Sequence, residues 1–380
     1  MLEIEVLKIL KDSKNLLAFS HGCDSSALFF ILLNLNIDFD IAIVNYNVRK
    51  QSKDEVRNTR SLARKYNKKC YVLESNILDF ISFNENKNSK DSIESNAKNT
   101  QDSIESIDNF ASNFELKARQ IRYNFFFNLL DSKNYKNLIT AHQLDDKIEW
   151  FFMRFLSGSG INSLLGFESV ESRFYGGKEF KIIRPLINVS KSEILEYNKI
   201  NNIEYFIDKS NENTKFFRNY VRAKITKNIE SRFYKNIKKS FEYLQKEKEI
   251  LYPKVMICVD FNLFYCKNSN FKSALHRIYI IDKLSKRLGY VLSSKQKNEI
   301  DELFFNLDFG REPYKECVMG EKIIIAINEQ FLFVGFKLCN KDSKKVIESR
   351  IPKKFREIYR KQKIPPKIRE IMYYSEITFL

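Results

Sequence analysis

Short apolar segments alternate with amphipathic segments along the first half of the chain. The apolar segments have the length of buried strands, and the amphipathic segments carry apolar residues at helical spacing. The predicted strands are residues 16–19, 41–45, 71–73 and 137–140, and the predicted helices are residues 26–35, 55–65, 115–130 and 145–156. This alternation predicts an α/β fold with a doubly wound parallel sheet, whose ligands bind beyond the carboxyl ends of the strands.

One segment interrupts this alternation. Residues 84–113 are rich in Ser, Asn, Asp, Glu and Lys, and they repeat the pentapeptide Asp-Ser-Ile-Glu-Ser. The segment has too few apolar residues to offset the entropy lost on ordering, so we predict a flexible surface insertion. A short amphipathic helix carrying Ile93 and Ile104 is the alternative.

The second half of the chain has a different pattern. Residues 220–249 form a long basic helical segment with aromatic residues, and residues 322–328 and 330–336 have the pattern of a hairpin. From residue 341 onward there are 12 basic and 5 acidic residues. A mostly helical C-terminal region is therefore expected. The predicted divisions of the chain are an α/β domain at 1–218, a helical domain with a hairpin at 219–340, and a basic segment at 341–380.

The charge of the chain bears on its partners. Lys and Arg number 65 against 48 Asp and Glu, which gives a net charge of +17. Such an excess favours a polyanion such as nucleic acid, because each phosphate contact releases counterions. A genome biased toward Lys and Asn codons is the other explanation, and composition alone leaves both open.

Several classes of protein are disfavoured by simple absences. The six cysteines include no Cys-x-x-Cys pair, which argues against a disulfide framework, a zinc site and a cysteine-held iron–sulfur cluster. Three histidines exclude a His-rich metal site. The chain has no secretory-type start and no apolar run of about 18 residues, so we expect no membrane span and a cytoplasmic location.

The first candidate site is a turn between the first predicted strand and the first predicted helix. Its residues are Ser20, His21, Gly22, Cys23, Asp24 and Ser25. A strand-to-helix turn directs backbone N–H groups and the positive helix end at one point, which suits a phosphate. Gly22 permits close approach, and Asp24 could hold Mg²⁺ or brace the loop. The alternative is a turn that only starts a helix.

The second candidate site follows the fourth predicted strand. Asp145 and Glu149 are four residues apart, so both can lie on the same side of one helix, with Asp146 beside them. These carboxylates could coordinate Mg²⁺ or receive a proton from an amine. Alternatively, they only complement the helix dipole. Because both candidate sites follow strands of one parallel sheet, we expect them to meet at the same edge.

These motifs resemble those of a known family. The turn at residues 20–25 resembles the pyrophosphate loop Ser-Gly-Gly-x-Asp-Ser of the ATP pyrophosphatase superfamily, with His21 in place of the first glycine. The pattern Ala-His-x-x-Asp-Asp-x-x-Glu at residues 141–149 resembles the tRNA(Ile)-lysidine synthetases, and similarity of this kind extends over about residues 12–225. Departures from the family pattern are Tyr46-Asn47 for His-Gly, Ser157 for Arg and Trp150 for Thr.

The resemblance implies a fold like that of the adenine nucleotide alpha hydrolases and a defined reaction. ATP would adenylate the wobble cytidine of the isoleucine tRNA with a CAU anticodon, and free L-lysine would then displace AMP. The loop at residues 20–25 would bind ATP, and Asp24 and Asp145 would hold Mg²⁺. The residues with implied catalytic roles are Asp145, Asp146, Arg122 and Arg218. Residues 219–340 would bind the tRNA.

Two other functions stay open at this point. A tRNA thiolase of the same superfamily would share the ATP loop, although thiolases that use clusters or persulfides need well-placed cysteines. A non-catalytic RNA-binding protein with a degenerate loop is the second, and His21 is the feature in its favour. The sequence implies no protein partner and leaves a homodimer open.

Overall fold

The computed structural model describes most of the chain. The described residues are 3–46, 52–75, 102–175, 178–206, 217–253, 255, 257–260, 263–271, 273–305, 308–337 and 351–374. The chain forms two compact units. The N-terminal unit comprises Met1–Ser172 and Phe180–Leu244, and the C-terminal unit comprises Arg173–Glu179 and Gln245–Leu380. The functional assignments of 1–218, 219–340 and 341–380 stay predictions.

The first sheet has six strands in the order β3-β2-β1-β4-β6-β5. The strands are β1 (Asn15–Ala18), β2 (Phe39–Asn45), β3 (Cys70–Glu74), β4 (Asn137–Ile139), β5 (Val170–Tyr175) and β6 (Lys178–Ile183). The pairs β1–β2, β2–β3, β1–β4 and β4–β6 are parallel. The strand order therefore reverses between β1 and β4, which is the place where such sheets bind ligands. The predicted α/β class is confirmed.

Eight helices belong wholly to the described part of the N-terminal unit. They are α1 (Ile4–Lys11), α2 (Cys23–Asn34), α3 (Ser52–Lys65), α4 (Asp102–Ser132), α5 (Leu144–Leu156), α6 (Ile161–Leu164), α7 (Lys191–Ile200) and α8 (Phe217–Lys224). A ninth helix, α9 (Tyr234–Leu251), begins in the same unit. The core lies between the sheet and its helices, and Phe29 contacts the rings of Phe19, Phe39 and Tyr66 there.

Two buried asparagines fix β1 beside β4. The side-chain amide of Asn15 donates to the carbonyls of Leu10 and Asp38, and its oxygen accepts from Asn137 at 2.8 Å. Because these buried groups satisfy one another, they stabilise the relative position of the strands instead of costing free energy. The two strands that precede the candidate sites are thereby held in register.

Helix α4 differs from the prediction. The helix starts at Asp102, so the start expected at residue 115 was wrong, and residues 102–113 are helical. The sequence explains this, since Ile104, Ile107 and Phe110 recur at helical spacing with no Gly or Pro between them. The alternative, a short helix carrying Ile93 and Ile104, is confirmed only in that Ile104 is helical, since the helix is 31 residues long and Ile93 lies outside the described residues. Residues 84–101 of the predicted insertion lie outside the described residues.

The single long helix predicted over residues 220–249 was also wrong. The segment is divided into α8 and α9, with 3-10 turns at Thr226–Asn228 and Ser231–Phe233 between them. The Asn228 side chain donates to the carbonyls of Ala223 and Lys224, at 3.3 and 3.0 Å. These bonds satisfy carbonyls that the end of a helix leaves open, so they stabilise the break.

The C-terminal unit has a five-stranded antiparallel sheet at its centre. Its order is β7-β8-β11-β10-β9, from β7 (Cys258–Asp260), β8 (Leu263–Lys267), β9 (Tyr314–Met319), β10 (Ile323–Asn328) and β11 (Phe331–Phe336). The helices are α10 (Ala274–Arg287), α11 (Ser294–Phe305), α12 (Lys353–Lys361) and α13 (Pro366–Tyr374). The predicted hairpin is confirmed as β10 and β11. The helices hold more residues than the strands, as predicted, but the other three strands were not predicted.

Strand β10 explains how this unit folds. Ile323, Ile325 and Ile327 pack in one apolar cluster with α10 and α11, while Ile324 and Ala326 pack in another with α12 and α13. Alternate side chains of a strand point to opposite faces, so a sheet covered on both faces needs an uninterrupted apolar strand. Across the described residues of both units, no helix is both long and apolar enough to cross a membrane.

Candidate active site

The turn at residues 20–25 connects β1 to α2, as predicted. Helix α2 begins at Cys23 with Gly22 in extended conformation as its N-cap. The Ser25 hydroxyl donates to the Gly22 carbonyl at 3.1 Å, and its oxygen lies 3.1 Å from that of Ser20. These bonds fix the turn while the first N–H groups of α2 have no partner within the helix, which is the arrangement that binds phosphate.

His21, which stands where the family pattern has a glycine, adopts a left-handed backbone conformation. Its φ is 56°, and its buried ring contacts Phe19 and Phe206 while its Nδ1 lies 3.1 Å from Thr59 Oγ1. A left-handed conformation costs a residue with a side chain about 1 kcal/mol, and these contacts offset that cost. Burial also lowers the pKa of His21. The ring is thus packed against other side chains. A nucleotide in this turn would contact the backbone of His21 and not its imidazole.

The acidic start of α5 is fixed by a capping box. The Gln143 side chain accepts from the Asp145 N–H at 2.6 Å, and Asp146 Oδ2 accepts from the Gln143 N–H at 3.0 Å. The second oxygen of Asp146 accepts from Arg218 at 2.5 Å. Asp146 therefore caps the helix with one oxygen and pairs with Arg218 through the other, and its catalytic role stays a prediction.

Lys191 joins the turn to the acidic helix start. Its Nζ lies 2.5 Å from Asp24 Oδ1, and its backbone N–H donates to Asp145 Oδ2 at 2.8 Å. Burial raises the pKa of Asp24, Lys191 opposes that rise, and the charges of Asp146 and Asp145 add to it. A charge effect of this kind requires the three carboxylates to be close. The two candidate sites therefore meet at one edge of the sheet, as predicted.

Glu149 organises the arginines of α8. Its carboxylate accepts from Arg222 at 2.6 and 3.0 Å and from Arg218 at 2.9 Å, although only 3% of its side chain is exposed. Arg218 thus bridges Asp146 and Glu149, one turn apart on α5. Bidentate and bridging contacts of this kind fix the planes of both groups. Arg218 lies at the acidic helix start.

His142 lies in the positive field of several arginines. Burial and nearby positive charge together hold the pKa of His142 well below its usual value, so its imidazole is neutral. The arginines responsible are Arg184, Arg218, Arg119 and Arg122. The His142 Nδ1 lies 2.9 Å from Thr140 Oγ1, which orients the ring. Arg122 is therefore near the same edge of the sheet, in a positive field that suits an anion.

The sequence is similar to those of several known proteins. The sequence matches the PP-loop domain family over residues 2–229. The tRNA(Ile)-lysidine synthase of Helicobacter pylori (strain ATCC 700392 / 26695) is 34% identical over 367 residues, 97% of this chain and 91% of that protein. That of Campylobacter jejuni (strain RM1221) is 34% identical over 375 residues, 98% of this chain and 96% of that protein.

The chain belongs to the tRNA(Ile)-lysidine synthase family. A solved structure, the U34-tRNA thiolase NcsA from Methanococcus maripaludis, is also similar, with a TM-score of 0.42 and 16% identity. The matched region covers 64% of this chain and 75% of the thiolase chain. This similarity is too weak to bear on activity. The relatives named lysidine synthase match nearly the whole chain, so the thiolase alternative is the weaker one.

Trp150 departs from the family pattern and fills space beside the acidic helix. Its Nε1 donates to the Ser163 carbonyl at 2.7 Å, and its ring contacts Phe167 edge-on at 5.1 Å. A Cβ at Gly166 would lie 2.7 Å from the same Nε1, so the indole needs a glycine there. Ser157, which replaces an arginine of the family, caps the end of α5 by donating to the Met153 carbonyl. Both departures are thus accommodated locally.

Sequence reasoning missed two residues that the structure brings to the candidate site. Lys191 follows Ser190, and Ser190 with Glu193 forms a capping box, a pattern that could have located a third helix start after a strand. Tyr234 donates its hydroxyl to Asp145 Oδ1 at 2.5 Å, and burial with that bond raises its pKa. No local pattern marks Tyr234, because its partner is far away in sequence.

The carboxylates fit the implied magnesium ion. No group of three or more His, Cys, Asp or Glu within the described ranges could hold a metal. Mg²⁺ in nucleotide enzymes commonly takes one or two carboxylates and completes its shell with phosphate and water. Asp24 and Asp145 supply oxygens of that type on either side of Lys191.

Proposed function

We propose that this chain ligates lysine to C2 of the wobble cytidine of the isoleucine tRNA with a CAU anticodon, using ATP. The observation that supports this proposal most directly is that Lys191 contacts both Asp24, in the turn at residues 20–25, and Asp145, at the start of α5. One crevice at the β1–β4 reversal could thus hold the polyphosphate and the group that it activates. The family relationship supports the choice of substrate.

The first chemical step would be adenylation of the cytidine. The C2 oxygen attacks the α-phosphorus, the bond to the β-phosphate oxygen breaks, and pyrophosphate leaves with that electron pair. The N–H groups of Gly22 to Ser25 and the Lys191 ammonium would stabilise the charge that develops. Mg²⁺ held by Asp24 and Asp145 would supply further charge neutralisation. The N–H groups do not reorganise, because the serine bonds already fix the turn.

The second step would be attack by free L-lysine. Its amine forms a bond to C2, the C2–O bond breaks, AMP leaves with the electron pair, and the amine gives a proton to a carboxylate or water. Asp145 and Asp146 would hold the lysine amine, and Arg122 would neutralise the AMP phosphate. Arg218 would keep Asp146 in position through their ion pair.

The remaining parts of the proposal concern conditions and partners. Cys23, Cys70, Cys266 and Cys317 are free thiols, which is consistent with a reducing compartment such as the cytoplasm. Mg²⁺ dependence and free L-lysine as co-substrate follow from the family reaction. A homodimer stays a prediction.

A labelled-lysine experiment tests this function. The protein is incubated with ATP, Mg²⁺, labelled lysine and an unmodified isoleucine tRNA transcript with a CAU anticodon, and we expect label in the RNA. Asp145→Asn should abolish turnover and leave tRNA binding nearly intact, because the carboxylate acts on the reacting groups. The matched control is Glu196→Gln on the exposed face of α7. Lysine-independent AMP release that requires a sulfur donor would show a thiolase instead.

A further inference from the structure

Helix α3 carries a row of cations along one face. They are Lys53, Arg57, Arg60 and Arg64, at spacings of four, three and four residues. The four side chains line a cleft of about 520 Å³ together with Asn45 and Glu74, the last residues of β2 and β3. The cleft therefore opens at the carboxyl edge of the parallel sheet, the edge that carries the candidate active site.

Ion pairing leaves most of this positive charge uncompensated. Arg57 lies 2.9 Å from Asp54, an exposed pair of the kind that contributes little to stability. Among the described residues, Lys53, Arg60 and Arg64 have no carboxylate partner, and Glu74 is the one carboxylate that lines the cleft. Three unpaired cations against one carboxylate make a positive surface.

Helix stability does not explain the row. Like charges three or four residues apart destabilise a helix, and the row contains three such pairs. The helix dipole disfavours Lys53 in the first turn and favours Arg64 in the last turn, so these two effects oppose each other. The repulsion between the like-charge pairs remains, and a ligand that the cations bind explains it more simply than helix stability does.

We infer that this cleft binds the sugar–phosphate backbone of the RNA substrate, an inference that rests on the proposed function. From Lys53 to Arg64 the row is about 16 Å long at about 1.5 Å per residue, which is long enough to meet several consecutive phosphates. Backbone contacts of this type supply affinity and register without reading sequence.

The opposite face of α3 packs against the turn at residues 20–25. Thr59 is fully buried, and its Oγ1 lies 3.1 Å from His21 Nδ1 within the turn. The helix thus packs on the turn through one face and presents its cations on the other. RNA held in the cleft would lie beside the turn that we propose binds ATP.

Salt-dependent tRNA binding tests the inference. For Arg60→Gln/Arg64→Gln we expect a Kd raised about ten-fold or more at low salt, and a slope of log K against log salt reduced by about two, one for each lost phosphate contact. Arg60→Lys/Arg64→Lys should keep most of the slope, because it keeps the charge. The matched control is Lys8→Gln/Lys11→Gln on α1, which removes the same charge elsewhere and should leave the slope unchanged.

The outcomes separate this inference from the proposed function. An unchanged Kd and slope in Arg60→Gln/Arg64→Gln overturns the inference, even if the wild type makes lysidine. A raised KM for ATP with unchanged tRNA binding also overturns it and assigns the cleft to a small anion. A reduced slope in a protein that forms no lysidine supports the cleft as an RNA site and refutes the proposed reaction.

Discussion

The cations of the candidate active site and the cations of α3 have opposite surroundings. Lys191, Arg218 and Arg222 each contact a carboxylate at 2.5 to 3.0 Å. Arg60 and Arg64 have no carboxylate partner among the described residues. A paired cation is held in one position and can orient a reacting group, whereas an unpaired cation attracts a mobile polyanion over a distance. Positive charge therefore fixes the positions of side chains in the candidate active site, whereas on α3 it attracts a polyanion.

Lys191 gives the largest expected effect. Lys191→Gln removes the link to Asp24 and the positive charge beside the departing pyrophosphate, so we expect turnover to fall by about 100-fold or more. Lysidine formation and tRNA binding are measured in parallel, and tRNA binding should stay near that of the wild type. Lys199→Gln, on the same helix but exposed, is the control. Equal turnover in wild type and Lys191→Gln would contradict a positional role for this cation.

Glu149 tests the paired region through stability. Glu149→Gln leaves Arg218 and Arg222 with weaker partners, and we expect the free energy of unfolding to fall by about 2–3 kcal/mol, less than for a fully buried pair because both arginines are partly exposed. Urea unfolding measures the change. Glu230→Gln, which breaks an exposed pair with Arg232, should change it by less than about 0.5 kcal/mol. Equal effects of the two substitutions would refute the distinction.

The raised pKa of Asp24 predicts how activity depends on pH. Burial raises the pKa of this carboxyl, and the charges of Asp146 and Asp145 raise it further against the opposing effect of Lys191. Asp24 must be charged to hold Lys191, so activity should fall as the pH drops through this raised pKa and recover as the pH rises. The profile of ATP–pyrophosphate exchange measures it. An acid limb at the usual aspartate value of about 4 would contradict this environment.

Arg57 gives the smallest expected effect. Its pair with Asp54 is exposed on both sides, so Arg57→Gln should change the free energy of unfolding by less than about 0.5 kcal/mol. Thermal unfolding measures the change. A loss as large as that of Glu149→Gln would mean that the α3 cations stabilise the fold and would weaken their assignment to RNA.

The spacing of apolar and polar residues within short segments was sufficient to predict where the two candidate sites lie in the fold. The turn at residues 20–25 and the start of α5 follow buried strands, and the parallel order places both at one edge. Strand β8 was missed because its partner β11 lies far along the chain. Strands β7 and β9 pair with the neighbouring strands β8 and β10, but β7 is only three residues long and β9 carries Lys315 and Glu316, so neither has a clear strand pattern. The break after Lys224 was missed because it depends on where the Asn228 amide donates.

The candidate site shows the same division. The sequence was sufficient to name Asp24, Asp145 and Asp146 as candidates, because their types and spacing carry chemical meaning. Lys191 and Tyr234 act through partners 167 and 89 residues away, Asp24 and Asp145 respectively. Contacts at that separation are fixed by tertiary packing, which the spacing of residues does not report. The low pKa of His142 likewise depends on its burial and on arginines from three separate segments.

The structure of the protein with a non-hydrolysable ATP analogue and Mg²⁺ tests the central claim most directly. The account predicts the polyphosphate on the backbone N–H groups of residues 22–25, with Lys191 Nζ and Asp145 within reach of the same ligand. A nucleotide bound elsewhere, or one that contacts the turn while the start of α5 lies away from it, would contradict the account.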